Sequence, residues 1–324
     1  MANVLFICGT LNQTTQMHAV ARHLGDCGCF FTPYFADGFV GVLARKRMVD
    51  FTALGGAMRQ ATDAYLRAHD LPVDEEGRRN RYDLVVTCSD LVVQRSVRGK
   101  KLVLVQEGMT DPENAMYRVV RSLGLPRYLA SSSTTGLSHA YDKFCVASEG
   151  YREHFIRKGV APERIVVTGI PNFDHAESYL QNDFPHRGHV LVATSDTRET
   201  FKLDNRRRFL RKALAIADGR LLVFKLHPNE NVARNTAEIR SIAPGALVYS
   251  EGNAHHMVAN ADVLVTQYST LAYTGILLGK EVHSYFDVET LKRLAPLQNG
   301  GTSGREIAAV CRGLLEERWE RRAS

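Results

Sequence analysis

The sequence predicts an α/β protein of two Rossmann-like domains whose parallel sheets face a cleft. Three observations carry that prediction. Short apolar, β-branched runs alternate with helix-length segments, the pattern of strands joined by crossover helices. The strand-like runs are continuous rather than alternating in polarity, as expected where helices cover both faces of a sheet. The chain has 324 residues, more than one core ordinarily organises, so the series divides in two.

In the first series, strands are predicted at Val4 to Ile7, Asp83 to Thr87, Leu102 to Val105, Phe144 to Ala147 and Ile165 to Thr168, with a helix from Gln16 to Leu24. The polar run Ser131 to Thr135 is expected to be a loop. Gly169-Ile170-Pro171-Asn172-Phe173-Asp174 and the polar stretch to Pro185 and Arg187 read as an interdomain connection. A second series follows, with strands at Val190 to Ala193, Leu221 to Leu226, Leu247 to Tyr249, Val263 to Thr266 and Val282 to Tyr285. From Gly304 to Arg322, Ile307, Val310, Cys311, Leu314 and Leu315 recur at helical spacing among charges and predict an amphipathic terminal helix. The division is therefore 1–172 for an N-terminal acceptor domain, 173–303 for a C-terminal donor domain and 304–324 for the terminal helix.

Hydrophobic residues at 44% and charged residues at 23% fit a chain that buries a substantial core and argue against disorder. The formal net charge of +6 favours anionic partners, whether nucleotides, phospholipid headgroups or acidic glycans. Nucleic acid is not expected, because Lys and Arg are spread along the chain and no zinc-finger spacing, aromatic-basic motif or basic arm is present. Cys8, Cys27, Cys29, Cys88, Cys145 and Cys311 read as free thiols, since Cys27 and Cys29 have no second pair nearby to complete a disulfide framework or a zinc site. A reducing cytoplasm suits them. No apolar run reaches the roughly 18 residues of a membrane span, and the opening segment lacks a basic signal-peptide start, so a cytoplasmic protein is expected.

Ligands of open α/β sheets collect at the carboxyl ends of the strands. Three such segments carry chemistry. In Val263-Leu264-Val265-Thr266-Gln267-Tyr268-Ser269-Thr270 a strand runs into a hydroxyl pair that opens a helix; Ser269 or Thr270 at the cap is either a plain N-cap or part of an anion site on the helix amides. In Lys225-Leu226-His227-Pro228, proline keeps His227 extended, so its imidazole either serves the fold or meets a phosphate and donates a proton to it. In Gln106-Glu107-Gly108, Glu107 is placed to act as a general base on an acceptor hydroxyl and Gly108 allows close backbone approach, unless the segment is a solvated acidic loop. Secondary candidates are Gly9 and Thr10 after the first strand, the run Thr194-Ser195-Asp196-Thr197, and Glu251 as a ribose acceptor. Gly9-Thr10 is not continued into a dinucleotide fingerprint.

Taken in order, these segments resemble GT-B enzymes, in particular CDP-glycerol glycerophosphotransferases and bacterial transferases that use CMP-activated sugars such as sialic acid or Kdo. The stretches Phe144 to Gly150 and Ile165 to Asp174 resemble the end of such an N-terminal domain, while Lys225-Leu226-His227-Pro228 and Tyr268-Ser269-Thr270 resemble the donor-side His-Pro and Ser-Ser/Thr motifs. The resemblance implies that His227, Ser269 and Thr270 hold the donor phosphates. Gln106-Glu107-Gly108 is similar to an acidic-acidic-Gly motif in which a carboxylate activates the acceptor; with Gln106 in the first place, only Glu107 can serve. The resemblance spans residues 100 to 303, is clearest from 225 to 287 and is thin before 85. It implies a nucleotide-sugar or CDP-glycerol donor and a glycan or lipid-linked acceptor of the cell envelope; from the residues, a metal-independent reaction without a cofactor is expected, with a helix terminus supplying the positive potential. No Asp-x-Asp pair is evident in the sequence. Arg45, Lys46, Arg47, Arg118, Arg121 and Arg127 could approach lipid headgroups at the inner face of a membrane.

The UDP-N-acetylglucosamine 2-epimerases share the architecture, and Leu297-Gln298-Asn299-Gly300-Gly301-Thr302 is loosely similar to their Gly-containing segment. Their Asp-Ser-Gly-Gly stretch is replaced by Gln267-Tyr268-Ser269-Thr270. An epimerase, a nucleotide-binding module without turnover and an interaction protein that binds no nucleotide remain alternatives.

Overall fold

The computed structural model describes residues 1–50, 52–195, 198 and 204–323, with side chains described as far as 317. The chain forms two compact units, Met1–Asp174 with Pro296–Ser324, and His175–Ala295. Each is a Rossmann-like α/β unit on one parallel sheet.

The first unit runs β1 (Asn3–Cys8), α1 (Leu11–Ala21), β2 (Gly28–Pro33), α2 (Gly38–Arg45), α3 (Gly56–Ala68), β3 (Leu84–Thr87), β4 (Lys101–Val105), α4 (Ala115–Leu123), β5 (Lys143–Val146), α5 (Glu149–Lys158) and β6 (Ile165–Val167). Its sheet order is β2-β1-β3-β4-β5-β6, parallel throughout. The second unit runs β7 (His189–Ala193), α6 (Arg206–Ala217), β8 (Leu222–Lys225), α7 (Val232–Ile242), β9 (Leu247–Tyr249), α8 (Ala254–Asn260), β10 (Ala261–Thr266), α9 (Leu271–Leu277), β11 (Glu281–His283) and α10 (Val288–Leu294). Its sheet order is β11-β10-β7-β8-β9, again parallel. The central strands β1, β3, β4, β7, β8 and β10 are almost wholly buried, which explains their continuous apolar sequences.

Every predicted strand is found within two residues of its expected bounds. The first helix begins earlier than expected, at Leu11, because the Thr10 side chain accepts the Gln13 N–H and caps it there. Strand β2 was not anticipated. It pairs with β1 from Asn3↔Gly28 to Cys8↔Pro33, at a sheet edge where Gly28 and Pro33 are tolerated. The polar run Ser131 to Thr135 is not simply a loop: through Thr134 it is part of a kinked 3-10 segment over Arg127–Thr134, with Ser131 at φ 52°.

The terminal segment corrects the sequence division. Residues 296–303, assigned from sequence to the second domain, join the first unit together with α11 (Ser303–Ala323). The physical reason lies in Asp174, whose carboxylate accepts the Ser303 N–H at 2.9 Å, while its C=O accepts the N–H groups of Asn299 and Gly300, both at 3.1 Å. Ile307, Ala308, Cys311, Leu314 and Leu315 are then buried with Met17, Val20 and Leu24 from α1 and its following turn. Gly304 permits that packing, because a Cβ there would stand 2.9 Å from the Ala19 carbonyl oxygen.

Candidate functional site

Each unit gathers its chemistry at the carboxyl edge of its sheet, and each edge centres on one glutamate. In the first unit, Ile7, Thr87 and Leu104 are level in register, so the segments after β1, β3 and β4 emerge together. Glu107 is two residues beyond β4. Its Oε1 accepts the Thr10 hydroxyl at 2.9 Å, its Oε2 accepts the Gln13 amide at 2.6 Å, and its backbone C=O accepts the Gln16 amide at 2.7 Å. Gln13 and Gln16 lie three apart on α1 and so share a face. Gly9 leaves room for Gln13, whose Oε1 would lie only 1.9 Å from a Cβ at that position.

Burial pushes the Glu107 carboxyl above its ordinary value, and the hydrogen bonds from Gln13 and Thr10 pull it partly back. Both of those donors are uncharged. The carboxylate lines a recess of about 280 Å³ with Ser89, Gly108, Ser131 and Ser132. Gln106 has a different task. Its Oε1 accepts the Ala147 N–H at 2.9 Å and its Nε2 donates to the Gly108 C=O at 2.7 Å, and a carboxylate could not make the second bond. The free thiols Cys8 and Cys145 are buried and pushed up to about 12 by that burial, and Cys88, beside the recess, is raised well above its usual value.

In the second unit, Ala193, Lys225 and Thr266 are level, so the segments after β7, β8 and β10 share one edge. Glu230 is buried there. It accepts the Thr194 hydroxyl, the His227 N–H at 2.8 Å and Arg206 Nη2 at 2.7 Å, and the Arg206 and Glu230 side chains are only 3% and 1% exposed. The Glu230 N–H donates to the His227 C=O at 3.0 Å, closing a turn with Pro228 in its second position, where the fixed φ is suited. His227 Nδ1 accepts the Asn229 N–H at 3.2 Å, which makes Nε2 the proton-bearing nitrogen of the neutral ring. The Ser195 hydroxyl donates to Gln267 Oε1 at 2.7 Å, and Gln267 Nε2 donates to Asp204 Oδ1 at 2.9 Å.

Ser269 and Thr270 follow β10 but cap α9 differently than expected. Ser269 Oγ accepts the Leu271 N–H at 3.2 Å, whereas Thr270, at the N-cap, is itself helical and makes no side-chain cap. Strand β7 separates β8 from β10, so His227 and the hydroxyl pair belong to strands on the order of 10 Å apart, with Thr194 and Ser195 on the strand between them. Glu251 is exposed beyond β9, and its charge acts on Lys225, whose Nζ donates to the C=O groups of Leu226 and Ser250 at 2.9 and 3.0 Å. Asp196 and Thr197 lie outside the described residues.

No family model and no curated protein matches the sequence. Solved structures do. A UDP-GlcNAc 2-epimerase from Neisseria meningitidis bound to UDP-GlcNAc superposes with a TM-score of 0.60 at 12% identity, covering 95% of this chain and 99% of that one. The wall teichoic acid polymerase TagF gives 0.53 at 12% identity, with 98% and 90% covered, and HepE from Anabaena in complex with UDP gives 0.52 at 12% identity, with both chains covered in full. The fold is GT-B.

The two GT-B sheets thus carry the sequence-predicted residues in two groups: Gly9, Thr10, Glu107 and Gly108 on the first, and Thr194, Ser195, His227, Pro228, Glu251, Ser269 and Thr270 on the second. Sequence reasoning missed Gln13 and Gln16, which hold the Glu107 segment, and Glu230 with Arg206, which hold the His227 turn. The usable signals were two glutamines at helical spacing directly after the first strand, and an acid three residues after His227. Among the described residues no group of His, Cys, Asp or Glu is arranged to hold a metal ion, and no helix is long and apolar enough to cross a membrane.

Proposed function

We propose that the protein transfers a glycosyl or glycerol-phosphate group from a nucleotide-activated donor, CMP- or CDP-linked, to a hydroxyl of a glycan or lipid-linked acceptor. The observation that carries this reading is the state of Glu107: a desolvated carboxylate with a raised pKa, oriented by two uncharged donors, facing a recess at a strand end. That is the design of a general base. Glu107 removes the proton from the acceptor hydroxyl, whose oxygen then attacks the activated carbon or phosphorus of the donor.

On the second unit, His227 offers Nε2–H to a donor phosphate while Ser269 and Thr270 add hydroxyls, stabilising charge on the departing nucleotide. A nucleotide donor is supported by the neighbours of the same fold, two of which are described with UDP or UDP-GlcNAc bound. Cytidine rests on the motif resemblance. No step calls on a metal or a cofactor. A cytoplasmic protein working at a membrane face is supported by α2 and the turn after it, where Phe39 and Met48 are 72% and 61% exposed beside Arg45, Lys46 and Arg47.

The test is a thermal-shift series with CMP, CDP, UMP, UDP, GDP and ADP. Stabilisation by a cytidine nucleotide is expected, and no shift with any of the six ends the reading. The second reading, a UDP-N-acetylglucosamine 2-epimerase-like enzyme, is favoured by the TM-score of 0.60. It predicts turnover of UDP-N-acetylglucosamine with no acceptor added.

A further inference from the structure

The recess at Glu107 adjoins two larger cavities of the same unit. One, of about 640 Å³, shares Gln13, Ser89, Leu91 and Ser131 with the recess and is otherwise lined mainly by apolar side chains, among them Phe39, Leu43, Leu54 and Val92. The other, of about 700 Å³, shares Val40, Leu91, Val92 and Tyr128 with the apolar cavity. Its lining carries Arg95, Arg98, Arg121, Arg127 and Lys158 against a single carboxylate, Asp37. Both volumes lie in the range of small-molecule sites.

The positive charge of the third cavity has little to answer it. Asp37 accepts the Arg95 backbone N–H. Asp90, nearby, gives its carboxylate to the N–H groups of Gly136 and Ser138 at 3.1 and 3.0 Å and its C=O to Arg127 Nη2 at 2.7 Å. Lys158 is 4% exposed, donates to the Ser133 C=O and stands over the Tyr117 ring at 5.3 Å. Arg127 Nε is buried with no hydrogen-bond partner among the described residues. Arg121, tied to the Tyr117 hydroxyl at 2.9 Å, and Arg95 and Arg98 are exposed. The charges of Glu113 and Asp90 act on Lys158, and Asp37 is the one carboxylate of the lining; five cations still outnumber these acids, a positive excess that concentrates anions there, and guanidinium groups match phosphate in geometry.

We infer that the acceptor is an anionic amphiphile: its hydroxyl meets Glu107, its apolar portion fills the cavity lined by Phe39, Leu43 and Val92, and its phosphate sits among Arg95, Arg98 and Arg121. The inference rests on the transferase reading for the role of the hydroxyl. The two subsites themselves rest on the cavities alone.

The probe is hexyl phosphate, titrated calorimetrically into the full chain beside hexanol and inorganic phosphate. Hexyl phosphate is expected to bind at least 10-fold more tightly than either. Arg98→Ala with Arg121→Ala is expected to weaken it at least 10-fold, Arg98→Lys with Arg121→Lys to restore part of the loss, and Leu43→Asp to reduce it to the affinity of inorganic phosphate. Equal binding of hexyl phosphate and inorganic phosphate by the wild type, or no response to the arginine pair in variants with unchanged circular dichroism, overturns the inference. The outcomes separate from those of the donor reading. Nucleotide stabilisation without hexyl phosphate binding defeats this inference alone, and hexyl phosphate binding without any nucleotide shift defeats the transferase reading and leaves the subsites standing.

Discussion

Two glutamates, one on each sheet edge, meet opposite electrostatic fates: Glu230 is buried and Glu107 half-buried. Glu230 faces a guanidinium, a hydroxyl and a backbone N–H, so its charge is neutralised and every oxygen is engaged. Among the described residues, the Glu107 carboxylate accepts only from the neutral amide of Gln13 and the hydroxyl of Thr10, which aim it without cancelling its charge. A carboxylate paired with a buried cation holds a turn in place. One left with neutral donors keeps its affinity for a proton, which is what a base requires. The difference also separates the two kinds of damage a substitution does.

The largest effect is expected from Glu107→Gln. It keeps the shape while turning one acceptor oxygen into an N–H donor, which the Thr10 hydroxyl can accept, so transfer should fall by about 10² to 10⁴ while nucleotide affinity stays unchanged in the same preparation. Full transfer by this variant would remove Glu107 from the chemistry. Arg206→Met comes next. It strands Glu230 in the interior and is expected to cost about 3–5 kcal/mol, read as a lowered urea midpoint for the unfolding step of the second unit, with the Glu107 unit unaffected. A midpoint equal to that of the wild type would show that Glu230 does not depend on the cation.

A smaller effect is expected on pH profiles. Glu107 must be ionised to accept a proton, so the transfer rate falls as pH drops through its raised pKa. The Gln13 N–H favours the ionised form; in Gln13→Leu the pKa rises further and the acidic limb moves to higher pH, with rates converging at alkaline pH. A limb that moves to lower pH contradicts the assignment. The smallest effect concerns stability. A carboxyl whose folded pKa is raised weakens the fold once it ionises, so the cost is present above the folded pKa and absent below the unfolded one. Thermal melts of Glu107→Gln should therefore lie at or above the wild type at pH 8 and coincide with it near pH 4. A lower melting temperature at pH 8 would mean that Gln13 and Thr10 need the charge.

What could be read without coordinates follows the range of each signal. Continuous apolar runs such as Val4 to Ile7 and Val263 to Thr266 announce buried parallel strands locally. Strand β2 hides because Gly28, Cys29 and Pro33 weaken its pattern, and its register with β1 supplies what its composition lacks. The amphipathic period of α11 is plain, yet its destination depends on Asp174, Ser303 and the Gly304 contact with Ala19, which no local pattern encodes. Glu107 was visible as an acid placed just beyond a strand. Gln13 and Gln16 were not, being neutral residues whose partner is 94 and 91 positions away. Arg206 opens an Arg-Arg-Arg run that reads as a solvated face, and only the fold shows that its first member is buried on Glu230.

The central claim divides labour between the two edges, with nucleotide held by the second and the acceptor proton taken by the first. The most direct measurement is a calorimetric titration of wild type, His227→Ala and Glu107→Gln with the nucleotide that stabilises the protein most. The account predicts affinity for Glu107→Gln within about twofold of the wild type and a loss of at least about tenfold, some 1.4 kcal/mol, for His227→Ala. Unchanged binding by His227→Ala together with lost binding by Glu107→Gln would contradict it.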